Sequence, residues 1–175
     1  MTGKQFYDWQ TVGGADDVMR LIAVLEKLDL PWCMIGGLAV NHWAAEPMVT
    51  QDVDIVIAMD RVEAAVKALE EANFVAKRFA WSINLTGDST VSIQISTAEM
   101  YRDFPARAVP ADIHGILMRV ASLEDTLAGK LSAYADRERR ASKRQKDLAD
   151  IARLLESHPE LRSRVPAEIL ARIEQ

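Results

Sequence analysis

Two short stretches of this 175-residue chain carry residue types and spacings that could do chemistry. The first is Thr50-Gln51-Asp52-Val53-Asp54-Ile55-Val56-Ile57, whose Val and Ile content predicts a strand over 50–58. Side chains two apart on a strand share a face, so Asp52 and Asp54 project side by side. Neighbouring carboxylates on an otherwise apolar strand repel, and a cation must balance them. Mg²⁺ (or Mn²⁺), bound by a few carboxylates together with substrate phosphates, is the natural partner. The second stretch, Ile35-Gly36-Gly37, lies about 15 residues earlier, between a short buried strand opened by Pro31 and a helix predicted over 38–45. A glycine pair in that position lets a phosphate approach free backbone N–H groups at the positive end of a helix. Taken singly, a Gly-Gly pair is usually a turn and an Asp-x-Asp often lies on a solvated face. Their order, spacing and apolar surroundings favour a triphosphate and metal site. Such a site can align an attacking hydroxyl and stabilise a leaving pyrophosphate.

Elements that would position these residues can be read along the chain. Val18, Leu21, Ile22, Leu25 and Leu28 fall at helical spacing over 15–28, behind the N-terminal acids Asp16 and Asp17. A helix over 60–72 follows a cap at Asp60, and two strands, 74–86 and 90–96, flank the turn Thr86-Gly87-Asp88-Ser89. A further strand is predicted near 116–120. Ser122, with Asp125 three residues on, then opens a helix of about 15 residues. Another helix covers 143–157, and Pro159 and Pro166 punctuate a short helical end. The pattern predicts an α+β fold: a small mixed β-sheet lobe flanked by helices over 1–121, then a helical lobe over 122–175, packed as one compact unit.

Charge is unevenly spread between these parts. Residues 1–121 hold 10 Lys/Arg and 16 Asp/Glu, whereas residues 122–175 hold 11 and 10. Arg137 to Lys146 alone contains six basic residues and one acidic one, a local site for phosphate or an acidic partner. With 49% hydrophobic and 27% charged residues, the composition excludes extensive disorder. The single cysteine, Cys33, can form no internal disulfide and reads as a small buried hydrophobe. The N-terminal MTGKQFYDWQ has no apolar leader, and no apolar run is long enough to span a bilayer, so a cytoplasmic protein without a membrane partner is expected. His42 has no ligand-like neighbour at metal-site spacing and reads as structural or exposed.

Gly36-Gly37, Ala39, Thr50 and Asp52-x-Asp54 resemble the signature of the nucleotidyltransferase superfamily. Lys130 in Ala-Gly-Lys-Leu-x-Ala, Arg139-Arg140, and Lys143-x-x-Lys146-Asp147-x-x-Asp150-Ile151 are similar to the helical pattern of its abortive-infection, type IV toxin-like bacterial branch. The likeness spans roughly residues 30–157. It implies an enzyme that binds a nucleoside triphosphate with Mg²⁺ and transfers the nucleotidyl group to a hydroxyl acceptor on RNA, a protein or a small compound such as an aminoglycoside. It also implies a possible cognate antitoxin. Carried over by position, Gly36, Gly37 and Thr50 belong to the triphosphate side, and Asp52 and Asp54 hold the metal. Lys130, Lys146 and Asp147 line the nucleotide site from the helical lobe. The basic residues Arg137, Arg139 and Arg144 are read instead as a solvated helix face, and Lys146, Asp147 and Asp150 could equally form a surface ion-pair network.

Two positions depart from that pattern. Pro47-Met48-Val49-Thr50 lacks the arginine that relatives place before the Asp-x-Asp strand. The strand expected to supply a third carboxylate reads Val91-Ser92-Ile93-Gln94-Ile95, with Ser92 at the expected position of the acid. Serine is a poor general base near neutral pH, and losing such a base costs ~10²–10⁴-fold in rate. Impaired catalysis is therefore expected. The alternatives are a non-catalytic nucleotide- or RNA-binding module, or a toxin–antitoxin component acting by protein association.

Overall fold

The computed structural model describes residues 14–113 and 116–174; the polar N-terminal stretch lies outside them. In chain order the elements are α1 (Ala15–Lys27), β1 (Trp32–Ile35), α2 (Gly36–Trp43), β2 (Asp52–Ile57), α3 (Val62–Glu71), β3 (Val75–Arg78), β4 (Ser82–Thr86), β5 (Ser92–Ser96), β6 (Val109–Ile113), β7 (Ile116–Val120), α4 (Leu123–Ala135), α5 (Ala141–Ser157) and α6 (Ala167–Ile173). Short 3-10 turns occupy Met59–Arg61, Glu99–Tyr101, Pro105–Arg107 and Pro159–Arg164. The strands form one mixed sheet in the order β3-β4-β5-β2-β1-β7-β6. From Leu123 to Ile173 every element is helical, completing the expected α+β architecture.

Alternation decides which face of the sheet is covered. In β2, β4 and β5 the residues Val53, Ile55, Ile83, Leu85, Ile93 and Ile95 are buried in one core with Val18, Leu21 and Leu25 of α1 and Ala65, Val66 and Leu69 of α3. The other face of these strands carries Asp52, Asp54, Asn84, Gln94 and Ser96, all half-buried. β1 is buried along its whole length because it is central: Trp32 and Met34 point into the main core, Cys33 and Ile35 into a small cluster with Val56 and Phe104. Helix α2 serves two cores at once. Leu38 and Ala39 pack under the sheet, while Val40, with Ala44 just past the helix end, packs with Leu127, Ile151 and Leu154 of the helical region.

Several local expectations change. The segment 74–86 is two strands, since the chain reverses at Phe79–Trp81 and β3 pairs antiparallel with β4. Strand β6, absent from the sequence reading, pairs antiparallel with β7 despite Pro110. It can do so because β6 is an edge strand, where a missing N–H leaves no ladder bond broken. Asp60 lies in a 3-10 turn, and α3 starts at Val62 without a side-chain cap. The cap at Ser122 forms as expected: its Oγ accepts from the Asp125 N–H at 3.1 Å.

Candidate active site

Register builds the site. β1 runs antiparallel to β2 and places Ile35 opposite Asp54, so the residue after β1, Gly36, abuts the second carboxylate. Gly36 has φ +67°, and a Cβ there would collide with Asp54 Oδ2. Glycine is thus required twice, for the backbone and for the space. A Cβ on Gly37 would lie 3.2 Å from Thr50 Oγ1. Thr50 is buried, its hydroxyl donating to the Asp52 carbonyl at 3.2 Å and accepting from the Asp52 N–H at 3.3 Å, which fixes the entry to β2.

The two carboxylates open into a cavity walled on one side by Ile35, Gly36, Gln94 and Ser96, and on the other by α4, α5 and the turn joining them. Asp54 lies deep among protein atoms on one side and faces the cavity on the other. Burial, then the neighbouring Asp52 charge, pushes its carboxyl up to about 6, against the opposing pull of Lys130, Arg139 and Lys143. Asp52 sits closer to solvent and receives the Lys143 ammonium, Nζ to Oδ2 2.6 Å. Lysine thus supplies in this structure the positive charge that the carboxylate pair demands.

Behind them is a buried polar network. Lys130 is 7% exposed and lies 3.1 Å from Asp147 and 2.7 Å from Asp150. Burial alone would lower the Lys130 ammonium, but Asp150 and Asp147 outweigh it and hold the group above its usual value. Arg139 donates to Asp147 at 2.7 Å, and Arg153 to Asp150 at 3.0 Å. Asp147 and Asp150 are therefore interior anchors and not a surface network. On the far wall Arg107 makes a bidentate pair with Asp125, 2.9 Å at each contact. Tyr101 and Phe104 stack edge to face there, with centroids 5.1 Å apart.

The predicted residues separate into three groups. Gly36, Asp52, Asp54, Lys130 and Asp147 come together around the cavity. Gly37 and Thr50 stand just behind it. Lys146 is half-buried and absent from the lining, whereas Lys143, one turn earlier, contacts Asp52. Arg137 and Arg139 are exposed, though Arg139 lies in the α4–α5 turn and also lines the cavity; Arg144 is half-buried and donates to the Tyr134 carbonyl at 2.8 Å. Ser92 is exposed and in register with Asp52, while Gln94 is in register with Asp54 and lines the cavity. Sequence reasoning did not single out Gln94, Tyr101, Phe104 or the Arg107–Asp125 pair. Gln94 could have been found from its parity with Ser92 on one face of β5; the two rings sit at 3-10 turns without periodicity. Cys33 is wholly buried, and burial, reinforced by Asp125, pushes its thiol up to about 12, so it is inert. His42 packs edge-on against Trp43, and burial lowers its value.

The donor set bears on metal binding. Among the described residues no group of three or more His, Cys, Asp or Glu could hold an ion unaided. Two carboxylates fit Mg²⁺ when substrate phosphates complete its shell. No helix among the described residues is long and apolar enough to cross a membrane.

Solved structures share this fold. ANT(2")-Ia, solved in complex with adenylyl-2"-tobramycin, aligns with a TM-score of 0.66 at 15% identity, covering 89% of this chain and 95% of that one. The lincosamide antibiotic adenylyltransferase LnuA, lincomycin-bound, aligns at 0.56 and 11% identity, covering 79% and 96%. An antigenic nucleotidyltransferase-like protein from Paracoccidioides brasiliensis aligns at 0.55 and 19% identity, covering 90% and 84%. No protein of curated function matches the sequence. The family model for the nucleotidyl transferase AbiEii toxin of type IV toxin–antitoxin systems matches residues 18–175. With the carboxylate pair, the glycine turn and the helical wall all inside that match, the chain belongs to the AbiEii nucleotidyltransferase family.

Proposed function

We propose that this chain transfers a nucleotidyl group from a nucleoside triphosphate to a hydroxyl acceptor, with Mg²⁺ or Mn²⁺ held by Asp52 and Asp54. The observation that carries the reading is the juxtaposition of this carboxylate pair with Gly36 and with the cations of α4 and α5 around one cavity. Gly36 and Gly37 present backbone at the start of α2 to the triphosphate, and Lys143 and Arg139 supply positive charge from the opposite wall. Bound there, the metal would polarise the phosphates and ease departure of pyrophosphate. In the reaction the acceptor oxygen attacks the α-phosphorus, the bond from the α-phosphorus to the β-phosphate oxygen breaks, and the hydroxyl proton must pass to a base. Lys130 and Asp147 act by holding the wall rigid, since both are buried and paired, whereas Arg139 is exposed.

Among the described residues, no unpaired acid besides the metal-holding pair lines the cavity to take that proton, which favours slow transfer. Besides Asp52 and Asp54, the acids lining the cavity are Asp125, engaged by Arg107, and Asp147, engaged by Lys130 and Arg139. Gln94 and Ser92 on β5 are neutral. Impaired catalysis, with nucleotide binding retained, is the second reading this observation supports. The acceptor is a hydroxyl on RNA, a protein or a small compound, and a cognate antitoxin is a separate partner of the same reading. The decisive experiment incubates the protein with each labelled triphosphate, Mg²⁺ and total RNA or lysate, beside Asp52→Ala and Asp54→Ala. Label transferred only by the intact pair supports the enzyme. Tight triphosphate binding without transfer supports the impaired site, and absence of both would sink the proposal.

A further inference from the structure

Three cations line the cavity, and they are not held alike. Lys130 and Arg139 belong to the network around Asp147 and Asp150, which ties α4 and the following turn to α5. Lys143 does not. Among the described residues its ion-pair partner is Asp52, on a strand 91 residues away, at 2.6 Å, and the two side chains are 37% and 35% exposed. Lys143 also stands in the first turn of α5, which contains no acidic residue. A helix N-terminus disfavours positive charge, so α5 gains nothing from a lysine at this place.

From this contrast we infer that Lys143 is an exchangeable counter-ion: it holds Asp52 in the free protein and moves to the phosphates when the metal–triphosphate takes Asp52. The inference rests on the nucleotidyl-transfer reading above and adds an order of loading to it. A bare divalent ion meets a carboxylate pair already half neutralised, with an ammonium beside it. A metal that arrives with a triphosphate brings its own negative charge, and phosphate oxygens replace the carboxylate as partners of the displaced ammonium. The exchange is easy because a half-exposed lysine–carboxylate pair contributes little net stability. The site therefore resists metal alone and accepts metal and nucleotide together.

The test uses the full chain with two probes. In the first, Mn²⁺ alone is titrated and the free ion is followed by electron paramagnetic resonance, for wild type, Lys143→Met and Lys143→Arg. Lys143→Met should bind Mn²⁺ about tenfold more tightly than wild type, while Lys143→Arg, which keeps the charge, should match wild type. In the second, a non-hydrolysable triphosphate analogue is titrated with Mg²⁺ present, and Lys143→Met should bind it about tenfold more weakly. A lysine that merely props α5 against β2 would move both affinities the same way or neither. Unchanged or weaker Mn²⁺ binding by Lys143→Met overturns the inference, as does unchanged or tighter analogue binding. Lys143→Gln repeats both arms should the methionine variant melt below wild type. Failure of the broader reading looks different: wild type would bind no triphosphate, yet the Mn²⁺ arm would still separate Lys143→Met from wild type.

Discussion

Asp17 on α1 and Asp54 on β2 are carboxylates set into one small fold, and they are treated in opposite ways. Asp17 is 2% exposed and accepts from the Ser89 hydroxyl at 2.5 Å, the Ser89 and Asp88 amides at 2.8 and 3.2 Å, and Arg20 at 2.9 Å. Burial alone would raise its carboxyl, but these donors outweigh burial and hold it below the usual value. A Cβ at Gly87 would run into the same carboxylate at 2.6 Å, so the β4–β5 turn is built around it. Asp54 has Gly36 against it and Asp52 beside it, and among the described residues no hydrogen-bond donor reaches its carboxylate. One acid is finished by the fold; the other is left open to the cavity.

The largest effect that would break this comparison is on turnover. Asp54→Ala should reduce label transfer on the order of 10³-fold, while Asp17→Asn leaves kcat within a factor of about two. Next comes stability: Asp17→Ala strands the Ser89 and Asp88 donors and should cost about 3 kcal/mol in a urea melt. If Asp17→Ala melted like wild type, the distinction between the two acids would fail. Gln94→Asp tests whether a base is lacking. An acid opposite Asp54 should raise the transfer rate about 10²-fold, with Ser92→Asp, opposite Asp52 and exposed, giving less. No gain from either would show that the base is not what limits the reaction, and equal gains would show that position on β5 does not matter.

The smallest effect is the dependence of stability on pH. Asp54 is raised from 3.8 to about 6, so the stability it contributes is present below 3.8 and lost as pH rises through about 6. Asp17 is lowered, so its contribution is present above 3.8 and lost as pH falls. Asp54→Asn should therefore stabilise the free protein at pH 8 by about 1 kcal/mol, discounted for its open side, and Asp17→Asn should do the reverse.

Much of this frame was legible because period-two alternation and helical spacing report burial directly. Asp52-Val53-Asp54-Ile55 and the Ser122–Asp125 cap needed no tertiary information. What misled were residues that break the link between apolar character and burial. Val75, Phe79 and Trp81 are 69%, 49% and 70% exposed, so an apolar run concealed the bend between β3 and β4. Pro110 hid β6 because an edge position cannot be read locally. Lys143, four residues before Asp147, shares its face of α5 and the adjacent Lys146 does not, yet the resemblance pointed to Lys146. The distance to β2 chose Lys143.

Helix α2 carries a consequence for how such a chain can diverge. Its eight residues are wedged between two interiors, with Leu38 and Ala39 in one and Val40 and Trp43 in the other. A change of shape at Val40 must suit Leu127 and Ile151, and it displaces Gly36 one turn away, beside Asp54. The helices after residue 121 are thus no interchangeable cassette, and a gene shortened there would leave Val40 without its neighbours. Substitution should disturb the fold least where no second interior is consulted, as on the exposed strand β3, and most beside the glycine turn.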